Sequence, residues 1–279
     1  MEQPIRYTYD SESGEEEEDY EDSSDSPTPM LLLSPQKIKK AADSNAHNKK
    51  LLFGRVLLVG IEGGGNLFLS SIKNKNIIGT LILPGKDSIP PDPNNSESIS
   101  LIYELEEAPD VLIVPCRQQI PTERCAEWTK ALFKHVDVQS VVVFDTFAAS
   151  SYINVDSYED NRYPPLVRIL QTSKATLIQD IPLYEPPNLT RDLSAAILSH
   201  CEIRKIPAYL LLSLLDTQHG RFVATSSTLQ AFQTTWEKLV ASHGVEQGIS
   251  FTADIQSMFK KNERKGRDIL SGTQSQLYL

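Results

Sequence analysis

The chain has 279 residues and a formal charge of −10, with 40% hydrophobic and 8% aromatic side chains, enough for one large domain or two small ones with a sizeable core. The acidity is local: Met1–Ser26 holds eleven carboxylates against one arginine, and the rest of the chain carries equal numbers of acidic and basic groups. With no basic field to attract a phosphate backbone, and no apolar run long enough for a bilayer, nucleic acid and membrane are both excluded as partners.

Residues 1–50 read as a disordered acidic tail, because Asp, Glu, Ser and Gly cannot bury enough surface to offset the entropy of ordering. Ser13 with Glu16 suits an acid-directed kinase, and Ser26-Pro27, Thr28-Pro29 and Ser34-Pro35 suit proline-directed ones. The folded part, residues 51–270, begins near Leu51. Four continuous apolar runs, Arg55–Gly60, Asp110–Val114, Ser140–Phe144 and Ala208–Leu215, read as strands buried on both faces; strands with one wet face would alternate. Between them, Leu67–Ser71 reads as a helix, and Pro84–Ser98, with its prolines and asparagines, as a surface loop. Pro121 opens another helix, with Trp128, Leu132 and Val136 on one face. Asn188 or Thr190 is expected to cap a helix over Asp192–Ile203. A further helix follows Ser226-Ser227, carrying Leu229, Phe232, Trp236, Leu239 and Val240, and a last one over Thr252–Lys265 carries Ile255, Met258 and Phe259. This alternation predicts an α/β three-layer sandwich with a mainly parallel central sheet. A flexible arm, residues 271–279, would end it.

Cys116, Cys125 and Cys201 are few, odd in number and widely spaced, which argues against a disulfide or zinc framework. With an acidic rather than a leader-like N-terminus, they point to the cytosol or nucleus; Lys37-Ile38-Lys39-Lys40 is a weak import signal. Gly60-Ile-Glu-Gly63-Gly64-Gly65-Asn66 is a glycine-rich strand-to-helix turn, where dinucleotide phosphates can dock on bare N–H groups. It is neither GxGxxG nor a P-loop, so a tight turn that lets chain segments approach closely is the better reading. Asp145 sits where α/β enzymes place catalytic groups, but no partner carboxylate accompanies it. His200 and Cys201 are helix neighbours and point apart. No catalytic residues, metal ligands or cofactor are assigned, and the chain is read as not an enzyme. The alternative from another class is a nucleotide- or phosphate-binding α/β enzyme using Gly63–Gly65 and Asp145; a third is a phosphoregulated adaptor acting through the acidic tail.

The arm Ser271-Gly-Thr-Gln-Ser-Gln276 ends in Leu277-Tyr278-Leu279. An apolar side chain, a ring and a carboxylate on a polar tether make a plug for a partner's pocket. Residues 185–210 are more specific. Their Pro-Pro-Asn stretch, the helix Asp192-Leu-Ser-Ala-Ala-Ile-Leu-Ser199 and the turn Lys205-Ile-Pro-Ala208 leading into an apolar strand resemble the proteasome assembly chaperone family. The strand ending at Gly60 with Phe68-Leu-Ser-Ser71, and the hydrophobic–Tyr–any-residue terminus, are similar to that family too. The resemblance implies an α/β chaperone domain that forms a heterodimer with proteasome assembly chaperone 2 on the outer face of the core-particle alpha ring and promotes ring assembly. On that basis Leu277 would enter the apolar part of a pocket between adjacent alpha subunits, Tyr278 would line its wall, and the carboxylate of Leu279 would pair with a pocket lysine.

Overall fold

The computed structural model describes residues 28–35, 52–84, 99–117, 119–153, 165–218 and 221–242. In chain order the strands are β1 (Met30–Leu33), β2 (Leu52–Gly60), β3 (Lys75–Ile82), β4 (Ile99–Leu105), β5 (Val111–Pro115), β6 (Val136–Phe147), β7 (Val167–Gln171), β8 (Ala208–Leu214), β9 (Asp216–Gln218) and β10 (Arg221–Val223). The helices are α1 (Gly64–Ser71), α2 (Cys125–His135), α3 (Asp192–Arg204) and α4 (Ser226–Ala241). Eight strands form one sheet in the order β1-β3-β4-β5-β2-β6-β8-β7, and β9 and β10 make a small separate hairpin.

The four apolar runs become β2, β5, β6 and β8, and these four are mutually parallel at the centre of the sheet. Their lack of alternation has the expected cause: helices cover both faces. Leu57, Val59, Val141, Val143 and Leu210 pack with Trp128 and Leu132 of α2 and Leu193 and Ile197 of α3. The intervening Val56, Leu58, Val142, Phe144, Tyr209 and Leu211 pack on the other face with Phe68 of α1 and Phe232 and Trp236 of α4. Successive strand residues therefore feed two separate cores. The flanks are antiparallel: β4 on β5, β3 on β4, β1 on β3 and β7 on β8. The sheet is thus parallel in its interior and mixed overall.

β1 departs from the sequence reading, which placed Met30–Leu33 inside the acidic tail. The four residues extend the sheet beside β3, with Leu31 and Leu33 packed against the first core and Met30 and Leu32 exposed. An apolar run of four after a highly charged block is enough for an edge strand. The Thr252–Lys265 helix, residues 85–98 of the proline-rich loop and the 271–279 arm lie outside the described residues.

α3 begins at Asp192, as the sequence reading has it, while the other helices start one to a few residues from their signals. Pro121 is followed by a single tight turn, Thr122–Arg124, before α2 begins at Cys125, and Val136 opens β6 rather than closing the helix. Trp128 is fully buried, and its indole N–H donates to Ser100 Oγ of β4 at 3.3 Å. At α3 neither Asn188 nor Thr190 caps. Arg191 takes the cap position in extended conformation with no side-chain bond, because the Asn188 carboxamide is engaged elsewhere. α4 is closed by Thr225, whose backbone N–H donates to Thr228 Oγ1 at 3.2 Å.

All three cysteines are free and buried in the core. Burial pushes Cys116 up to about 12, Cys125 up to about 11 and Cys201 up to about 12. The thiolate is the reactive form, so the native chain is expected to resist alkylation by iodoacetamide at pH 8 and to take three labels once unfolded. The same shifts carry a sign for stability. A thiol held protonated in the fold contributes stability fully present below the unfolded value of 9.0, lost as pH rises through the folded value. Melting temperature should therefore fall above pH 9, and substitution of the three cysteines by alanine or serine should flatten that decline.

Candidate functional site

Leu277, Tyr278 and Leu279 lie outside the described residues. The glycine-rich turn and Asp145 lie inside them, at the carboxyl edge of the parallel strands. Gly60 ends β2, and a Cβ there would stand 2.4 Å from the Gly65 carbonyl oxygen. A Cβ on Gly65 would stand 1.9 Å from the Phe144 carbonyl oxygen of β6, and one on Gly64 2.6 Å from Thr146 Cγ2. Gly63 has φ 91°, a conformation other residues rarely adopt. The N–H of Asn66 already donates to the Ile61 carbonyl at 2.7 Å. The glycines therefore serve to seat α1 on β6. The Cβ directions of Gly60, Gly64 and Gly65 are taken up by protein atoms, which fits the tight-turn reading.

Asp145 sits on the floor of an open cleft of about 570 Å³. β2 leads into α1 on one face of the sheet, while β6 leads by way of β7 into α3 on the other. Adjacent parallel strands whose continuations diverge leave a crevice at their carboxyl ends, which is where open α/β sheets receive ligands. Ile61 and Glu62 after β2, Asp145–Ala148 at the end of β6, and residues 187–194 running into α3 line this crevice. One wall carries Phe147 and Tyr184, backed by Tyr152, the three ring centroids lying 5.1–5.9 Å apart. Arg168 donates to the Tyr152 hydroxyl at 2.9 Å and steadies that wall.

The acidic side of the cleft is held by neutral donors. Asp145 accepts from Ser194 Oγ at 2.5 Å and from the Thr146 backbone N–H at 2.7 Å. Burial raises its carboxyl above the usual range despite those bonds. Asp192, the first residue of α3, has φ 51° and accepts from Thr122 Oγ1 at 2.7 Å, tying the tight turn before α2 to the start of α3. Asn188 pairs with both backbone groups of Ile153, accepting from its N–H at 2.7 Å and donating to its carbonyl at 2.8 Å. This clamp sets Ile153 and Leu189 at the rim, 56% and 74% exposed. Among the described residues no group of three or more His, Cys, Asp or Glu side chains could hold a metal ion, and no helix is long and apolar enough to cross a membrane.

Sequence reasoning singled out Asp145, and Asn188 only as a helix cap; it gave no role in a site to Asn188, Ser194, Ile153 or Leu189. Only their tertiary placement distinguishes them. One consequence of the geometry is measurable. A carboxylate whose folded value is raised contributes stability below 3.8 that is lost as pH rises through the folded value. Asp145→Asn, which keeps an acceptor for Thr146, should therefore raise the melting temperature at pH 7 by about 2–4 °C, the shift expected for roughly 1 kcal/mol in a domain of this size. The gain should vanish near pH 3.5 in a calorimetric pH series.

A family profile described as "Proteasome assembly chaperone 4" matches residues 69–271. The chain belongs to the proteasome assembly chaperone family. Among curated members, "Proteasome assembly chaperone 1" of Danio rerio is 28% identical over 172 residues, 59% of this chain and 60% of the relative. That of Nematostella vectensis is 26% identical over 152 residues, covering 53% and 57%. That of Xenopus tropicalis is 27% identical over 258 residues, covering 86% and 82%. The alignments with the first two thus span less than two thirds of those relatives. In solved structures the chaperone-family fold recurs in Pyrococcus furiosus PbaB, "an archaeal proteasome activator", with TM-score 0.51, 11% identity and coverage of 88% of this chain and 99% of that one. It recurs in PbaA of the same organism, "an archaeal homolog of proteasome-assembly chaperone", with TM-score 0.50 and 12% identity over 91% and 100%. A Thermoplasma acidophilum protein of unknown function has TM-score 0.54 and 14% identity over 90% and 100%.

Proposed function

We propose that this chain is a non-enzymatic assembly chaperone for the proteasome core particle. It pairs with proteasome assembly chaperone 2, binds the outer face of the alpha ring and promotes ring assembly in the cytoplasm and nucleus. The single observation that carries this reading is the family match over residues 69–271, which spans most of the described fold. The contact with the ring is made in part by the C-terminus: Leu277 enters an apolar pocket between alpha subunits, Tyr278 lines it, and the Leu279 carboxylate meets a lysine. Support for this contact comes from the chemistry of the terminus, two apolar groups and a carboxylate on a polar tether.

The test is co-purification from cells expressing the full chain or one ending at Gln276. Both should recover proteasome assembly chaperone 2 in equal amount, while only the full chain should recover alpha subunits efficiently. Equal recovery of alpha subunits by both would overturn the role of the terminus. Failure of either form to recover any proteasome subunit or chaperone would overturn the assignment as a whole. The nucleotide-enzyme reading is the weaker one, since packing already accounts for its glycines.

A further inference from the structure

The crevice above β2 and β6 is not used by the C-terminal contact, and its composition has a direction. Asp145 is half-buried on the floor, yet its hydrogen-bond partners, Ser194 and Thr146, are neutral. Among the described residues no cation stands within ion-pair distance of it. Glu62, Asp192 and Arg191 complete the charged lining, so acids exceed bases by two. An enclosed carboxylate without a countercharge is costly, and the cost is relieved when a cation enters. Above it stand two large apolar side chains, Ile153 and Leu189, held out to solvent by the Asn188 clamp.

An acidic floor beneath an apolar collar matches one kind of side chain. Arginine and lysine carry a long apolar stem and a charged head, so stem and head can satisfy collar and floor together. A free amine metabolite would gain from the floor but leave the collar unused. We propose that this cleft receives an arginine or lysine side chain from a protein partner, presented on a segment with an apolar neighbour that covers Leu189. The head group reaches Asp145 while the stem lies along Ile153. The inference goes beyond the chaperone reading and does not involve Leu277–Leu279.

The probe is acetyl-Leu-Arg-Leu-amide, titrated into the full chain and followed by heteronuclear NMR, with acetyl-Leu-Gln-Leu-amide as control. A three-residue ligand should bind with Kd on the order of 1 mM, moving the resonances of Asp145, Asn188 and Ser194, while the glutamine peptide leaves them in place. Asp145→Asn should weaken binding about tenfold, the loss expected for a charge-assisted bond. Asp192→Asn tests the second acid without disturbing its positive φ, which asparagine tolerates. Leu189→Ser should weaken the peptide severalfold but leave free agmatine unaffected. Equal binding of the two peptides, or no shift up to about 10 mM, roughly tenfold above that Kd, overturns the site. Agmatine binding as tightly as the arginine peptide makes it a small-amine site and overturns the protein partner. Binding that emerges only when Lys260, Lys261, Arg264 and Lys265 are changed to glutamine makes this chain's own basic segment the occupant, with the same consequence.

Discussion

Gly65→Ala is expected to leave little folded protein. The new Cβ would lie 1.9 Å from the Phe144 carbonyl oxygen and 2.7 Å from its carbon, both backbone atoms of a strand paired on each side. A flexible side chain could swing away; β6 cannot. Relief would require α1 to lift from the sheet, and α1 carries Phe68, which is fully buried with ring centroids 5.0 Å from Phe144 and 5.6 Å from Phe232. Overpacking a core typically costs about 1–3 kcal/mol, and separating this aromatic cluster adds more, so the total should exceed about 4 kcal/mol and place the variant among the severe cases. Gly63→Ala makes the contrast. Its Cβ would meet nothing closer than Thr146 Oγ1 at 3.8 Å, so only the positive φ opposes it, at about 1–3 kcal/mol. Soluble yield and melting temperature should separate the two variants clearly. A Gly65→Ala protein melting within about 2 °C of the parent, less than the shift for 1 kcal/mol, would show that α1 does not sit on β6 as described.

That pair of glycines also shows what could be read from the sequence. A glycine-rich turn between an apolar strand and a helix was visible, and so was its packing role, because the phosphate-binding spacings were missing. The four central strands were legible for a related reason. Burial on both faces removes alternation, and an unbroken β-branched run such as Val141–Val143 fits an inner strand. The outer strands were not. Tyr103, Glu104 and Ile77 mix exposed and buried positions, and Met30–Leu33 follows a block of acids that hides four apolar residues. Their place is fixed by pairing with distant strands, which single-sequence periodicity does not encode. The cap of α3 was misassigned for the same reason. Asn188 has the chemistry of a cap, but its amide is better satisfied 35 residues away at Ile153. The cleft inherits this asymmetry. Asp145 was recognisable by its position at a strand end, whereas the collar of Ile153 and Leu189 exists only because that asparagine clamp holds it.

Loss of the three C-terminal residues should weaken core-particle binding roughly tenfold to a hundredfold without altering the fold. Burying Leu277 and the Tyr278 ring would give about 1.5–3 kcal/mol each, and a charge-assisted bond from a lysine to the Leu279 carboxylate about 1.5–3 more. Ordering three backbone units costs on the order of 3–6 kcal/mol. Taken at the midpoints of these ranges, the balance is about 2 kcal/mol, which falls within that range of affinity. A gain of this size is too small to hold a free peptide on the ring, since association itself carries a further cost. It becomes useful once the folded body is docked, because the tether then makes insertion intramolecular. Two results follow that distinguish this mechanism from a terminus acting alone. A synthetic peptide of residues 271–279 should compete poorly with the full chain for core particles, even in large excess. Tyr278→Ala should lose most of the tail's contribution, through faster dissociation rather than slower association, since docking of the body sets the on-rate. Surface-bound core particles and the two proteins would suffice to measure it. A Tyr278→Ala variant dissociating at the parental rate would mean that the ring is held by the folded body alone.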